Sequence, residues 1–215
     1  MKREHLFRGI LYLGGLMMTA LGSVLSAKAG LGVSATMAIP FAVTNVSGIK
    51  LSVTCFVVSS LMIVAQFLIL GRKSRKRDLL QLPLNVLFGL FLEWFGNLFD
   101  LSPVLLWQKI GVMTLSILCT GTGVFMMVNM RLVPNPPDGL TQVLSEKINK
   151  ELGITKNIVD FTFVAIALLV DLLTGGKLVS VGLGTVLAMI FIGRTVAVFN
   201  RLFKEKLLRV AGLSK

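Results

Sequence analysis

Six long apolar runs divide the chain, at about 6–27, 51–70, 79–99, 110–129, 154–174 and 178–200. Each is long enough for a helix that crosses lipid, which takes roughly 20 apolar residues at about 1.5 Å of rise each. Between the first and second runs lies "KAGLGVSATMAIPFAVTNVSGIK" (Lys28 to Lys50). It opens with Gly30 and Gly32, offers Ser34 or Thr36 as a helix N-cap, and holds only about a dozen helix-forming residues before Gly48. Between the fourth and fifth runs, "LVPNPPDGL" places three prolines in four residues. The pattern predicts that Pro134 to Pro137, including Asn135, lie outside regular helix. Asp138 then serves as N-cap, and Gly139 to Leu152 form a short amphipathic helix with Leu140, Val143, Leu144, Ile148 and Leu152 on one face. Both stretches read as half-length helices.

Composition turns this pattern into a class. Of 215 residues 54% are hydrophobic and 15% charged, and the mean hydropathy is +0.84, values far from those of soluble domains. The expectation is an all-α polytopic membrane protein of six transmembrane helices, with 1–215 forming one membrane domain. The first run follows Met1-Lys2-Arg3 as a signal peptide would. Its apolar stretch is too long, and it lacks a clear small-residue cleavage site, so it reads as retained. Cys55 and Cys119 both fall inside apolar runs, which argues against a disulfide framework or a metal site.

A net charge of +12 would suggest a nucleic-acid partner, but 21 of the 22 Lys and Arg residues lie outside the runs or at their ends. With a cytoplasmic N-terminus, 17 of them fall inside: Lys2, Arg3, Arg8, the basic run from Arg72 to Arg77, Arg131, Lys147, Lys150, Lys156, Arg201, Lys204, Lys206, Arg209 and Lys215. Only Lys28, Lys50, Lys109 and Lys177 fall outside. This asymmetry predicts cytoplasmic N- and C-termini.

The two halves align in order. Gly15, Thr19 and Gly22 match Ser116, Thr120 and Gly123 at a spacing of 101. Gly48-Ile49, Phe56 and Gly71-Arg72 match Gly153-Ile154, Phe161 and Gly176-Lys177 at 105, and Val86-Leu87, Phe91 and Phe99 match Val186-Leu187, Phe191 and Phe199 at 100. Each half, about 1–103 and 104–215, then contains three spans and one half-helix. Three is odd, so the second half begins on the opposite side and the repeats are inverted about an axis in the membrane plane.

In inverted-repeat proteins a broken helix presents free N–H groups and the positive end of its dipole to a bound solute. That makes Gly30, Gly32, Ser34, Thr36, Asn135, Asp138 and Gly139 the expected binding residues, for a solute with an anionic group. The competing expectation for each short helix is an interfacial position on the membrane surface, held in the second case by Lys147 and Lys150.

Ionisable groups at membrane depth are functional candidates, and Glu93, Asp160, Asp171 and Arg194 qualify. Asp160 and Asp171 share nearly one helical face with Val164 and Ala167 between them, facing the bundle interior. A rise of about 1.5 Å per residue puts Asp160 and Arg194 both roughly 6 Å from the midplane on the cytoplasmic side, which predicts a buried ion pair. Glu93 falls on the outer side without a basic partner, an arrangement that would suit proton coupling; a hydrogen bond to Asn97 is the plainer alternative.

Gly15, Thr19, Ser23 and Ala27 form a small-residue stripe that lets a second helix approach closely. Packing within the chain is the plain reading; a homodimer or a partner membrane subunit is the alternative. No phosphate-binding loop, zinc motif, nucleophile elbow or dinucleotide fingerprint is present, so neither enzyme activity nor a cofactor is expected.

"LGGLMMTALGSVLSAKAGLGVSATMAIP" together with "MVNMRLVPNPPDGLTQVLSEK" resembles the YczE/YyaS/YitT-type bacterial integral membrane proteins over most of the chain. The resemblance implies a bacterial plasma membrane location and a six-helix fold, and it transfers no site residues. The expected function is a small secondary transporter or permease. The alternatives are a substrate-capture subunit of a multi-component vitamin importer and an accessory or regulatory membrane protein.

Overall fold

The computed structural model describes residues 2–71, 76–99, 101, 103–174 and 178–213. Among them are eight α-helices: α1 (Lys2–Ala29), α2 (Ala35–Ser47), α3 (Leu51–Leu70), α4 (Gln81–Leu98), α5 (Leu106–Met130), α6 (Pro136–Ile148), α7 (Leu152–Leu173) and α8 (Leu183–Val210). A short 3-10 turn, Lys76–Leu80, leads into α4, and no strand occurs among the described residues. Five helices are long and apolar enough to cross a membrane: α1 from Leu6, α3, the segment Asp78–Leu98, α5 and α8. Their outward surfaces are apolar, with Leu61, Leu68, Leu90, Val186 and Leu202 all more than half exposed. Such a surface is stable only in contact with lipid, and the chain is a multi-pass integral membrane protein. The basic run from Arg72 and the stretch around Lys177 fall largely outside the described residues.

α1 and α5 cross antiparallel at the centre through small residues. A methyl group placed on Gly22 would stand 2.7 Å from Thr120 N and 2.8 Å from Ser116 O, and one on Gly15 would stand 2.8 Å from Gly123 O. Ser116 Oγ donates to Gly22 O at 2.6 Å across the contact. The stripe expected on the first helix is thus occupied by α5, and Thr19 and Ser23 are buried there.

The remaining contacts run in matched pairs. α1 packs on α4 and α5 on α8; α2 packs on α3 and α6 on α7; α2 packs on α7 and α6 on α3. One pair breaks the pattern: α3 packs along α4, whereas α7 and α8 scarcely touch. The helix starts of α1, α4 and α7 and the ends of α3, α5 and α8 lie at one end of the bundle, called here the termini end. This follows from contacts such as Arg8 to Met130 and Gln66 to Gln81.

Two boundaries differ from expectation, both of α6: it starts earlier, and it ends at Ile148 because Leu152 already begins α7. Pro136 and Pro137 sit inside the first turn of α6 with Asn135 as its N-cap, not Asp138. A first-turn N–H has no partner within the helix, so proline fits there without losing a hydrogen bond. α2 begins after Ser34, as one of the two expected caps, and ends at Gly48 with φ 69.

Candidate functional site

The starts of both half-helices line one cavity of about 680 Å³ at the middle of the bundle. α2 contributes Ser34 to Met37, and the segment Pro134 to Asp138 contributes the start of α6. The walls are Tyr12, Thr19 and Ser23 of α1, Cys55, Ser59 and Met62 of α3, Asn85 and Phe88 of α4, Thr120 of α5, Lys156 and Asp160 of α7, and Met189 and Ile192 of α8. The cavity occupies the space where α7 and α8 stand apart. Mixed apolar and polar walls of this size suit a small molecule.

The half-helices begin beside this cavity rather than on the bundle surface because each buries a face of small residues. Ala35, Ala38, Pro40 and Ala42 of α2 are buried, with Ala38 and Ala42 in one core cluster with Ala167 of α7. In α6, Gly139, Thr141 and Val143 are buried. A methyl on Gly139 would meet Gln66 Oε1 at 2.6 Å.

The two helix starts are not equivalent electrostatically. Neither cap residue bonds the first turn through its side chain. At α2, Met37 N–H bonds Ser34 O at 2.9 Å, while the amides of Ala35 and Thr36 make no described hydrogen bond and the hydroxyls of Ser34 and Thr36 lie 3.4 Å apart. At α6, Pro136 and Pro137 have no N–H, Gly139 N–H bonds Asn135 O at 2.7 Å, and the Asp138 carboxylate already sits at the positive end of the helix dipole.

Lys156 reaches between two carboxylates. Its Nζ lies 2.9 Å from Asp160 Oδ1 and 3.6 Å from Asp138 Oδ1. The expected pair of Asp160 with Arg194 therefore does not form: Lys156 is one turn from Asp160, whereas Arg194 is exposed and rests over the Phe191 ring at 5.5 Å. Nor is Glu93 without a basic partner, because the turn between α2 and α3 carries Lys50 onto it, and the two form an ion pair on the protein surface. Asn97 is not its partner.

The cavity is closed at the end opposite the termini. Gly32, with φ +91, packs so tightly on Gly182 and Thr185 that a methyl there would stand 2.5 Å from Gly182 N. Val33 N–H bonds Ser180 O at 3.1 Å and Gly184 N–H bonds Leu31 O at 2.7 Å. Asp171, 2% exposed, fixes this contact by accepting from Ser180 N at 3.1 Å and Ser180 Oγ at 3.0 Å. A matching cluster lies toward the termini end: Gln66 Nε2 donates to Pro136 O at 2.9 Å, and Gln81 Nε2 donates to Gln66 Oε1 at 3.0 Å. Gln66 and Asp171 are themselves 105 positions apart (171 less 66), the offset at which Gly48, Phe56 and Gly71 align with Gly153, Phe161 and Gly176 in the sequence. At the termini end the cavity mouth includes exposed Glu151 and Gly153. A second cavity of about 580 Å³ on the other flank of α6 shares Pro134, Asn135, Asp138 and Lys156 with the first.

Of the seven expected binding residues, Ser34, Thr36, Asn135 and Asp138 meet on the central cavity. Gly32 serves the closure, Gly30 (φ +65) the turn before it, and Gly139 lines the second cavity against Gln66. Of the four intramembrane charges only Asp160 lines the central cavity. Sequence reasoning missed Lys156, which was counted among surface charges, and Gln66, Gln81 and Asn85, which carry no charge but are buried. Gln66 was visible as the lone carboxamide within "LMIVAQFLIL".

A family model described as "Family of unknown function (DUF6198)" matches residues 6–201. No curated protein and no solved structure matches the chain.

Proposed function

We propose that this chain, which belongs to the family of unknown function DUF6198 through that match over residues 6–201, is a small secondary transporter of the bacterial plasma membrane. Its solute binds in the central cavity, between two inverted halves of three spans each. One observation carries the reading: the N-terminal turns of two half-helices from different halves converge on a single cavity that is closed at one end and open at the other. The same device, a pair of broken helices at a repeat interface, builds midplane sites in transporters of inverted-repeat design.

The matched helix pairings support the inverted halves. Exchanging α1 with α5, α2 with α6, α3 with α7 and α4 with α8 maps the larger pairings onto one another, with α3–α4 against α7–α8 as the main exception and the slight α1–α8 and α2–α8 contacts unmatched. In this reading α7 is the sixth span, despite carrying Lys156, Asp160 and Asp171, because its charges face the cavity and the α2 loop rather than lipid. α2 and α6 are re-entrant, with irregular backbone at 30–34 and 131–135 shielded by protein. The exception fits as well. If the halves hold different conformations, exchanging them closes the termini end and opens the other, which is alternating access. The positive-inside asymmetry places the open end in the cytoplasm.

The test starts from a thermal-shift screen of the purified protein against metabolites, since specific stabilisation reports a ligand. The stabilising compound is then offered to liposomes containing this chain alone. A transporter moves it without ATP. Uptake that requires an added energising partner would instead identify a capture subunit of an importer.

A further inference from the structure

The cavity has an excess of negative charge on its walls. Its lining holds three carboxylates, Asp138, Glu151 and Asp160, and a single cation, Lys156. That cation is shared by two of the carboxylates through Oδ1 of each, so the Asp138–Lys156–Asp160 group is one positive charge short of neutral. Asp160 is 14% and Asp138 32% exposed, so both are partly withdrawn from water, and a cation joining the group lowers the cost of that withdrawal. An anion faces the reverse situation. At the start of α6 two prolines remove the first donors and Asp138 already takes the helix dipole. At the start of α2 two amides and two hydroxyls remain as donors for a polar group of the solute.

From this asymmetry we infer that the transported solute is an organic cation, an amine or quaternary ammonium compound with an apolar body, whose charged nitrogen sits against Asp138 and Asp160. The inference rests on the transporter reading for the word transported; the cation site itself stands on the cavity alone. Tyr12 and Phe88 also line the cavity, and aromatic rings are a second source of attraction for a cation. Met62 and Met189, flexible and polarizable, suit an apolar body of variable shape. Lys156 occupies the place the solute's nitrogen would take, and so acts as an internal competitor rather than as an anion ligand. Lys156 could meet an anion at Asp138 and Asp160 only by leaving both carboxylates.

The charge of the ligand makes the sign of a lysine substitution diagnostic. Benzyltrimethylammonium and benzoate serve as matched cationic and anionic probes, measured by equilibrium dialysis with the purified full chain. The wild-type protein should bind benzyltrimethylammonium and not benzoate. Asp160→Asn should weaken cation binding at least 10-fold. Lys156→Gln should strengthen it by a similar factor, because two carboxylates are released, and its thermal stability should recover on adding the cation. The inference is overturned if benzoate binds and Lys156→Gln abolishes that binding, or if neither the wild type nor Lys156→Gln binds the cation. Should cation binding follow the expected order while liposomes containing this chain alone take up none, the cation site stands and the transporter reading falls.

Discussion

The crossing of α1 and α5 gives the sharpest energetic prediction. In Gly22→Ala the new methyl would stand 2.7 Å from Thr120 N and 2.8 Å from Ser116 O, both backbone atoms that no side-chain rotation can move aside. Carbon contacts settle at about 3.5–4.0 Å, so the two helices must separate by roughly 1 Å at their centre. Overpacking of this kind costs about 1–3 kcal/mol. The separation also stretches the 2.6 Å hydrogen bond from Ser116 Oγ to Gly22 O, worth about 0.6 kcal/mol in a membrane protein. Less the helix-propensity gain of about 1 kcal/mol, Gly22→Ala should therefore lose about 0.6–2.6 kcal/mol. Gly111→Ala, on the same α5 but with nothing within 4 Å of the new methyl, should be neutral or gain up to about 1 kcal/mol from helix propensity. Reversible unfolding in mixed micelles with increasing dodecyl sulfate measures both. Equal stabilities within about 0.5 kcal/mol would refute the close crossing, because propensity alone favours alanine at both positions.

Other expectations concern the closure and the surface. Asp171→Ala removes the acceptor for both Ser180 donors and should cost about 1.5–3 kcal/mol in thermal unfolding, the range for hydrogen bonds to a charged group. Gly32→Ala adds a clash with Gly182 to a positive φ; it should destabilise by about 1–3 kcal/mol and loosen hydrogen-exchange protection at Val33 and Gly184. Lys50→Gln breaks a pair whose lysine is 70% exposed, and should leave the unfolding midpoint nearly unchanged.

Much of the fold was legible because lipid enforces a simple rule: long apolar runs become helices. The run 51–70 coincides with α3, and Gly48 ends α2 where its freedom at positive φ was needed. The close approach on the first helix was readable from its glycines and threonines because close helix crossings tolerate few other residues. What escaped was side-chain partnership. Lys50 and Lys156 each looked like a charge at a run's edge, yet a long flexible side chain near a helix start can reach a carboxylate, at the surface for Lys50 and on the cavity wall for Lys156. Arg194 sits at the depth of Asp160, but depth says nothing about which way round the helix a residue points. Gln66 and Gln81 drew no attention because they are uncharged; burial made their mutual bond a structural necessity. The prolines of 134–137 were read as breaking a helix when two of them begin one.

The claim on which the functional reading turns is a central cavity that opens at the termini end and is sealed at the other by the contact of Leu31–Val33 with Ser180–Gly184. Ser59, half-buried on the cavity wall, offers a direct reporter. In the variant Ser59→Cys carrying Cys55→Ala and Cys119→Ala, a membrane-impermeant thiol reagent should label from the face that holds the chain termini and not from the opposite face. Adding Asp171→Ala should make it reactive from the opposite face too. Labelling of the first variant from the opposite face, or from neither, would contradict the one-ended cavity.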